Sequence, residues 1–301
     1  MSEKQKYDVA VIGAGPGGYT AAFRAADLGK QVILIEKNSE LGGVCLNRGC
    51  IPSKALLHMV KVIEEAKALK QSGVTFGKPQ IDLDAIRNWK DSVVNKLNKG
   101  ISNLMKIRKV EVMQGTATFY SPTQLSVKTN TGFQTITFNN CIIATGSRSS
   151  NIPGFPKDHP LIINSTSALK LRKIPKRLLV IGGGYIGLEL GSVYNALGSK
   201  VTVVEFMPNL LPGADEDLVK PLAQKLRKSF ENIYLSTNVL KVEPNKNEVT
   251  VRFEGSDKKE FSAVFDTVLI SVGRKPNTEN IGLENAGIDL TNKGFISVNE
   301  K

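Results

Sequence analysis

Cys45 and Cys50 stand five positions apart in the stretch Gly42 to Lys54, GGVCLNRGCIPSK, with glycines on both sides and Lys54 four residues beyond the second thiol. Two thiols this close can be a redox dithiol, half of a metal site, or an accident of sequence. A four-ligand metal set would need more donors. The chain offers only one further cysteine, Cys141, and two histidines, His58 and His159, so no metal is expected. A redox pair has to bring its sulfurs together, yet an ideal helix holds residues five apart at about 8 to 9 Å between Cα atoms, beyond the reach of a disulfide. A bridge therefore requires a break in the helix, which Gly49 and the glycines at 42 and 43 can supply. Pro52 suits the first turn of a helix, and that places Cys50 near a positive helix end, where a thiolate is stabilised.

The elements that must position this pair begin with Tyr7 to Ile12, YDVAVI, a buried-strand pattern running into GAGPGG at Gly13 to Gly18. An alanine-rich helical stretch, Tyr19 to Leu28, and a second strand, QVILIE, follow, the latter ending on Glu36. Gly13 makes the tight turn, Gly15 lets a pyrophosphate approach the main chain, Gly18 lets helix and strand pack, and Glu36 can accept from an adenosine ribose. The pattern recurs. RLLVI, GGGYIG at Gly182 to Gly187, a helical stretch and KVTVVE carry Gly182, Gly184, Gly187, Gly198 and Glu205 in the register of Gly13, Gly15, Gly18, Gly29 and Glu36. One such turn is a weak signal, but two in the same register indicate two dinucleotide sites in one chain.

Between the repeats, Ser53 to Lys70 reads as a helix with Leu56, Leu57, Val60 and Ile63 on one face, and Asp82 to Ile107 as a helix with a basic outer face whose Trp89 and leucines belong to the core. Val110 to Ala144 reads as antiparallel β structure closing on CIIATG, with Cys141 a buried, inert core residue and Thr145 and Gly146 able to lie against a cofactor. Ser147 to Pro156 is a linker, Asp215 to Phe230 a helix, and Gly273 to Asn277, GRKPN, a second crossover. At 301 residues, 41% hydrophobic and 23% charged, the chain is long enough for two globular domains. The net charge of +12 comes from lysines spread along the chain, with 6% aromatics and no nucleic-acid motif, so a lysine-rich solvated surface is expected and no nucleic-acid partner. No signal segment or membrane span is legible, and a cytoplasmic, reducing setting is expected, where a close cysteine pair points to catalysis.

GGVCLNRGCIPSK between two dinucleotide turns, with ATG at Ala144 to Gly146 and GRKPN, resembles the flavin-dependent pyridine nucleotide-disulfide oxidoreductases over essentially all 301 residues. Within them it is similar to the branch that oxidises protein-bound dihydrolipoamide with NAD. The glutathione-reducing branch usually carries a second lysine in place of Ser53 and basic residues after the second ribose strand, where this chain has Phe206, Met207 and Pro208 behind Glu205. The resemblance implies an α/β fold of two Rossmann-like domains, each a parallel sheet with helices plus a small antiparallel meander. FAD would be held by residues 1–147, NAD by 148–272, and 273–301 would return to the first domain. It implies a Cys45–Cys50 disulfide, Cys45 exchanging with the substrate dithiol and Cys50 facing the flavin, with Lys54 near the flavin ring and paired with Glu189. FAD would lie against Gly13, Gly15, Gly18, Glu36, Lys37, Gly42, Gly43, Cys45, Lys54, Ala117, Thr145 and Gly146. NAD would lie against Gly182, Gly184, Tyr185, Ile186, Gly187, Glu205, Val239 and Gly273, Tyr185 gating the nicotinamide.

Lipoyl domains of 2-oxoacid dehydrogenase complexes and a second copy of the full-length chain are the implied partners. Members of the family continue beyond the equivalent of Lys301 into a second FAD contact and a dimerisation domain whose His-Glu pair serves the exchanging thiol. His58, read as lying on the apolar face of its helix, and His159, in the linker, are structural on this reading. A truncated form with little turnover is expected. A mercuric or other disulfide reductase, and a nucleotide-binding or interaction module without turnover, are the competing expectations.

Overall fold

A computed structural model describes residues 6–156 and 159–300. The chain forms two compact units, residues 1–51, 92–148 and 275–301 in one and residues 52–91 and 149–274 in the other. In chain order the first elements are β1 (Lys6–Ile12), α1 (Pro16–Asp27), β2 (Val32–Glu36), α2 (Gly43–Arg48), α3 (Cys50–Ala68) and α4 (Leu83–Ile107), then β3 (Glu111–Gln114), β4 (Thr116–Ser121), β5 (Gln124–Thr129) and β6 (Gly132–Ile143). The chain passes through β7 (Ser147–Ser149) to β8 (Ile162–Asn164), α5 (Ser165–Ala168), β9 (Arg177–Ile181), α6 (Tyr185–Ala196), β10 (Lys200–Val204), α7 (Glu216–Ser229) and β11 (Asn232–Tyr234). It closes with β12 (Asn238–Pro244), β13 (Val249–Glu254), β14 (Glu260–Phe265), β15 (Thr267–Ile270) and β16 (Arg274–Pro276).

The first unit is built on a six-stranded sheet ordered β3-β2-β1-β6-β5-β4. Its strand β2 is buried on both faces, as a central parallel strand must be. Alternate residues go opposite ways: Ile33 and Ile35 join Phe119, Phe138 and Leu283 in one apolar cluster, while Val32 and Leu34 join Ala22, Val94, Ile101 and Met105 in another. Expectation and structure part in one respect. β3 pairs in parallel with β2, and β6 is long enough to pair in parallel with β1 and antiparallel with β5, so here the meander is a continuation of the parallel sheet. In the second unit the two are separate: a parallel sheet β11-β10-β9-β15-β8 and a three-stranded antiparallel sheet β12-β13-β14, whose Val249, Val251 and Phe253 pack with Leu179 and Ile181. Helix α3 buries Leu56 and Val60 in the other cluster of this unit, as its periodicity indicates.

Trp89, two leucines of α4 and His58 depart from expectation. Trp89 is 41% exposed, as are Leu97 and Leu104 to a similar degree; α4 buries Val94, Ile101 and Met105 instead, a stripe one step around the helix. His58 lies on the exposed face of α3, not the apolar one, whereas His159 accepts the main-chain N–H of Leu161 through Nδ1 at the start of β8. Cys141 on β6 is half-buried beside the first cluster, and burial pushes its thiol from 9.0 up to about 12, so it stays protonated and inert.

Candidate functional site

The two glycine turns have the same construction. In the first, Gly13 has φ +98, and a Cβ on it would sit 2.4 Å from the Ala144 carbonyl oxygen; a Cβ on Gly18 would sit 1.8 Å from the oxygen of Gly13. In the second, Gly182 has φ +104 and the Cβ of residue 187 would meet the Gly182 oxygen at 2.3 Å. These four positions answer to the protein's own packing. The middle glycines differ. Gly184 has no atom within 4 Å of where a Cβ would go, and Gly15 has only the Gly43 Cα at 4.0 Å. The space in front of them is clear, and the helices that start there, α1 and α6, have no side-chain cap and no acidic residue in the first turn. Main-chain N–H groups at an uncapped helix start facing clear space fit a pyrophosphate.

The acid at the end of the second strand of each repeat is buried and engaged the same way. Glu36 Oε2 accepts the N–H of Ala14 (2.8 Å) and Oε1 that of Asn38 (2.9 Å). Glu205 Oε2 accepts the N–H of Gly183 (2.6 Å) and Oε1 that of Met207 (2.8 Å). The repeat continues past the acid. Gly42 N–H donates to the Ala14 carbonyl (2.8 Å) and Leu211 N–H to the Gly183 carbonyl (3.0 Å), both residues having positive φ. A leucine standing where the first copy has glycine concealed the match.

In the first unit this turn is what holds the thiol pair. Gly42 and Gly43 have φ +93 and +61, and a Cβ on Gly43 would come within 2.5 Å of the Gly15 Cα, so the start of α2 is seated directly on the dinucleotide turn. Helix α2 carries Cys45 and stops at Gly49, where the chain breaks out of helical geometry (φ −149, ψ −109) before α3 begins at Cys50. The break shortens the Cα separation to 4.7 Å, and Cys45 and Cys50 form a disulfide. Cys50 thus opens a 19-residue helix, with Pro52 in its first turn. Thr145 and Gly146 follow β6. Their carbonyls accept the Nδ2 group (2.9 Å) and main-chain N–H (2.9 Å) of Asn277, so the GRKPN segment fastens the ATG segment. Lys37 is exposed just beyond β2, and Ala117 is buried with its methyl in the core, leaving only its main chain for a ligand.

In the second unit, Lys54 Nζ donates to Glu189 Oε1 (2.8 Å) and Ser53 Oγ to Glu189 Oε2 (3.1 Å). The pair expected from the sequence is thus joined, with Ser53, notable in the sequence only as a departure from lysine, as a further member. A cavity of about 620 Å³ opens in front of the second turn, lined by Gly182, Gly184, Tyr185, Glu205, Val239 and Gly273 among others. Ile186 also lines it, and Tyr185 is mostly exposed at its mouth. Gly187 stands behind, buried against β9, in a packing position. Among the described residues no cluster of metal-ligating side chains occurs and no helix is long and apolar enough to cross a membrane.

Comparison with known proteins follows the same line. The chain is 46% identical to the dihydrolipoyl dehydrogenase of Vibrio cholerae, over all of this chain and 63% of that protein. It is 44% identical to that of Bacillus subtilis, over 98% of this chain and 62% of the other. Among solved structures it is similar to the HOCl-induced flavoprotein disulfide reductase RclA of Escherichia coli in its Cu(II) complex, with a TM-score of 0.82 and 32% identity, covering 98% of this chain and 62% of that one. The chain therefore spans a little under two thirds of the length of these relatives. Residues 7–301 match the family described as Pyridine nucleotide-disulphide oxidoreductase, and with nearly its whole length accounted for in that way, the chain belongs to this family.

Proposed function

We propose that this chain supplies the redox disulfide and both dinucleotide sites of a dihydrolipoyl dehydrogenase, which oxidises protein-bound dihydrolipoamide and reduces NAD. The observation that carries the reading is the Cys45–Cys50 disulfide at a helix break seated on one of two matched dinucleotide turns. FAD is assigned to residues 1–147 with the return segment 273–301, and NAD to residues 148–272. Bound flavin supplies the step that converts the electron pair of a dithiol into a hydride for the nicotinamide. The chain's own residues do the rest. Cys45 exchanges with the substrate dithiol, and Cys50, at the start of α3, leaves as a thiolate stabilised by the helix end. Lys54, oriented by Glu189, contributes a positive charge near the flavin. The clear approach at Gly15 and Gly184 admits the pyrophosphates, Thr145 and Gly146 border the flavin site, and Tyr185 covers the nicotinamide pocket.

Glu205, engaged by two main-chain donors, favours a ribose hydroxyl and opposes a phosphate, which supports NAD over its phosphorylated form. Identity of 46% to a dihydrolipoyl dehydrogenase supports lipoyl domains of 2-oxoacid dehydrogenase complexes as the substrate carriers and a homodimer as the working assembly, in a reducing cytoplasmic setting. The test is a visible spectrum of the FAD-reconstituted chain. Flavin colour and a long-wavelength band on adding dihydrolipoamide, absent in Cys50→Ser, is the expected result. A colourless protein that still binds NADH would overturn the flavin assignment, and a coupled NADH assay preferring glutathione disulfide to lipoamide would overturn the substrate.

A further inference from the structure

Helix α2 is six residues long, far below the length that holds itself together in water, and it is entered through two left-handed glycines and left through a third glycine. Something other than helix propensity must fix the direction of Cys45. Asn47 does this from within the turn: its Nδ2 group donates to the carbonyls of Leu41 (2.8 Å) and Gly43 (3.0 Å), tying the far end of α2 back to its own start and to a core residue. Its remaining polar atom, Oδ1, accepts from Nδ2 of Asn98 on α4. The carboxamide is therefore satisfied at three points, which is what holds a side chain in one rotamer.

We infer that Asn47, held in turn by Asn98, is a positioning residue for Cys45 that sets how firmly the disulfide closes; the inference rests on the redox-pair reading above. In the reaction an external dithiol, as thiolate, attacks Sγ of Cys45, a mixed disulfide forms and the Cys45–Cys50 bond breaks, its electron pair going to Cys50. The second thiol of the external molecule then displaces Cys45, leaving a cyclic disulfide outside and two protein thiols. Reclosure depends on the effective concentration of Cys45 at Cys50, which falls when α2 is free to swing. Loss of the staple therefore favours the dithiol form.

The experiment equilibrates the full chain with mixtures of reduced and oxidised dithiothreitol, traps thiols by alkylation and counts them by mass spectrometry, with the melting temperature of the oxidised form taken alongside. Asn47→Ala and Asn47→Asp, the latter keeping the acceptor for Asn98 but losing both donors, are expected to raise the reduced-to-oxidised ratio about tenfold at a fixed mixture, equivalent to about 30 mV. Asn98→Ala is expected to raise it about threefold and serves if the Asn47 variants do not fold. Val127→Ala, a core truncation in the same unit, lowers the melting temperature and is expected to leave the ratio alone. A ratio within twofold of wild type in the variants that fold, or an equal shift in Val127→Ala, overturns the inference. A wild-type pair that does not exchange with dithiothreitol at all removes the redox-pair reading itself, before any variant is compared.

Discussion

At the scale of single residues, the same side chain does two jobs in the two halves. Glu205 spends both carboxylate oxygens on main-chain N–H groups, Gly183 and Met207, so the acid shapes the turn as well as presenting charge to a ribose. Glu205→Gln places an amide NH₂ against one of those buried donors. The expected cost is about 1 to 3 kcal/mol, read as a melting temperature lower by several degrees, together with weaker NADH binding by fluorescence titration. Lys54 presents the opposite case. Its side chain is 60% exposed and its partner Glu189 half-buried, so the ion pair contributes less than about 1 kcal/mol. Lys54→Met is expected to melt within a degree or two of wild type while altering the visible spectrum of the FAD-loaded protein; a large loss of stability would show the pair to be structural.

At the scale of elements, the glycines of one turn divide into those the protein needs and those it does not. Gly187→Ala would drive a methyl to 2.3 Å from the Gly182 oxygen and should unfold or strongly destabilise the second unit, whereas Gly184→Ala meets no atom within 4 Å. Gly184→Ala is expected to keep the wild-type melting curve and to lose NADH affinity by tenfold or more, a split that calorimetry and titration on the two variants will reveal. This division also explains what the sequence made legible. Strand, turn, helix and acid were readable because a close approach admits only glycine and because buried parallel strands read as unbroken apolar runs. The side of α4 that is buried was not, since Trp89, Leu97 and Leu104 form as plausible a stripe as Val94, Ile101 and Met105 until the sheet chooses between them. The fusion of meander and parallel sheet was hidden because β6 changes partners along one strand, and pairing leaves no mark on composition. At the thiol site, the pair and Lys54 stood out by spacing. Asn47 and Asn98 did not, because asparagines 51 positions apart show no period that joins them.

At the scale of the molecule, each unit hides an acidic group whose neutral form the fold prefers. Burial raises the Cys141 thiol from 9.0 to about 12 in the first unit and the Tyr194 phenol from 10.0 to about 12 in the second. The unfolded chain releases these protons first. Stability is therefore full below about pH 9 and declines as pH rises from there toward 12. Urea midpoints are expected to fall between pH 8.5 and 10.5, less steeply in Cys141→Ala; an unchanged slope in that variant would remove the thiol from the account.

The first unit also has a history in time. All six strands of its sheet precede residue 144, but Ile281, Leu283, Ile288 and Ile296, which pack against Phe119 and Phe138, belong to its last segment. About 140 residues separate β6 from that cover, which at ribosomal speed is roughly 7 to 28 s of synthesis. Throughout that interval a nascent sheet stands with one apolar face uncovered, which makes the arrival of residues 281–296 a folding step for the first strands made, and the growing chain a client for whatever chaperone meets it at the ribosome.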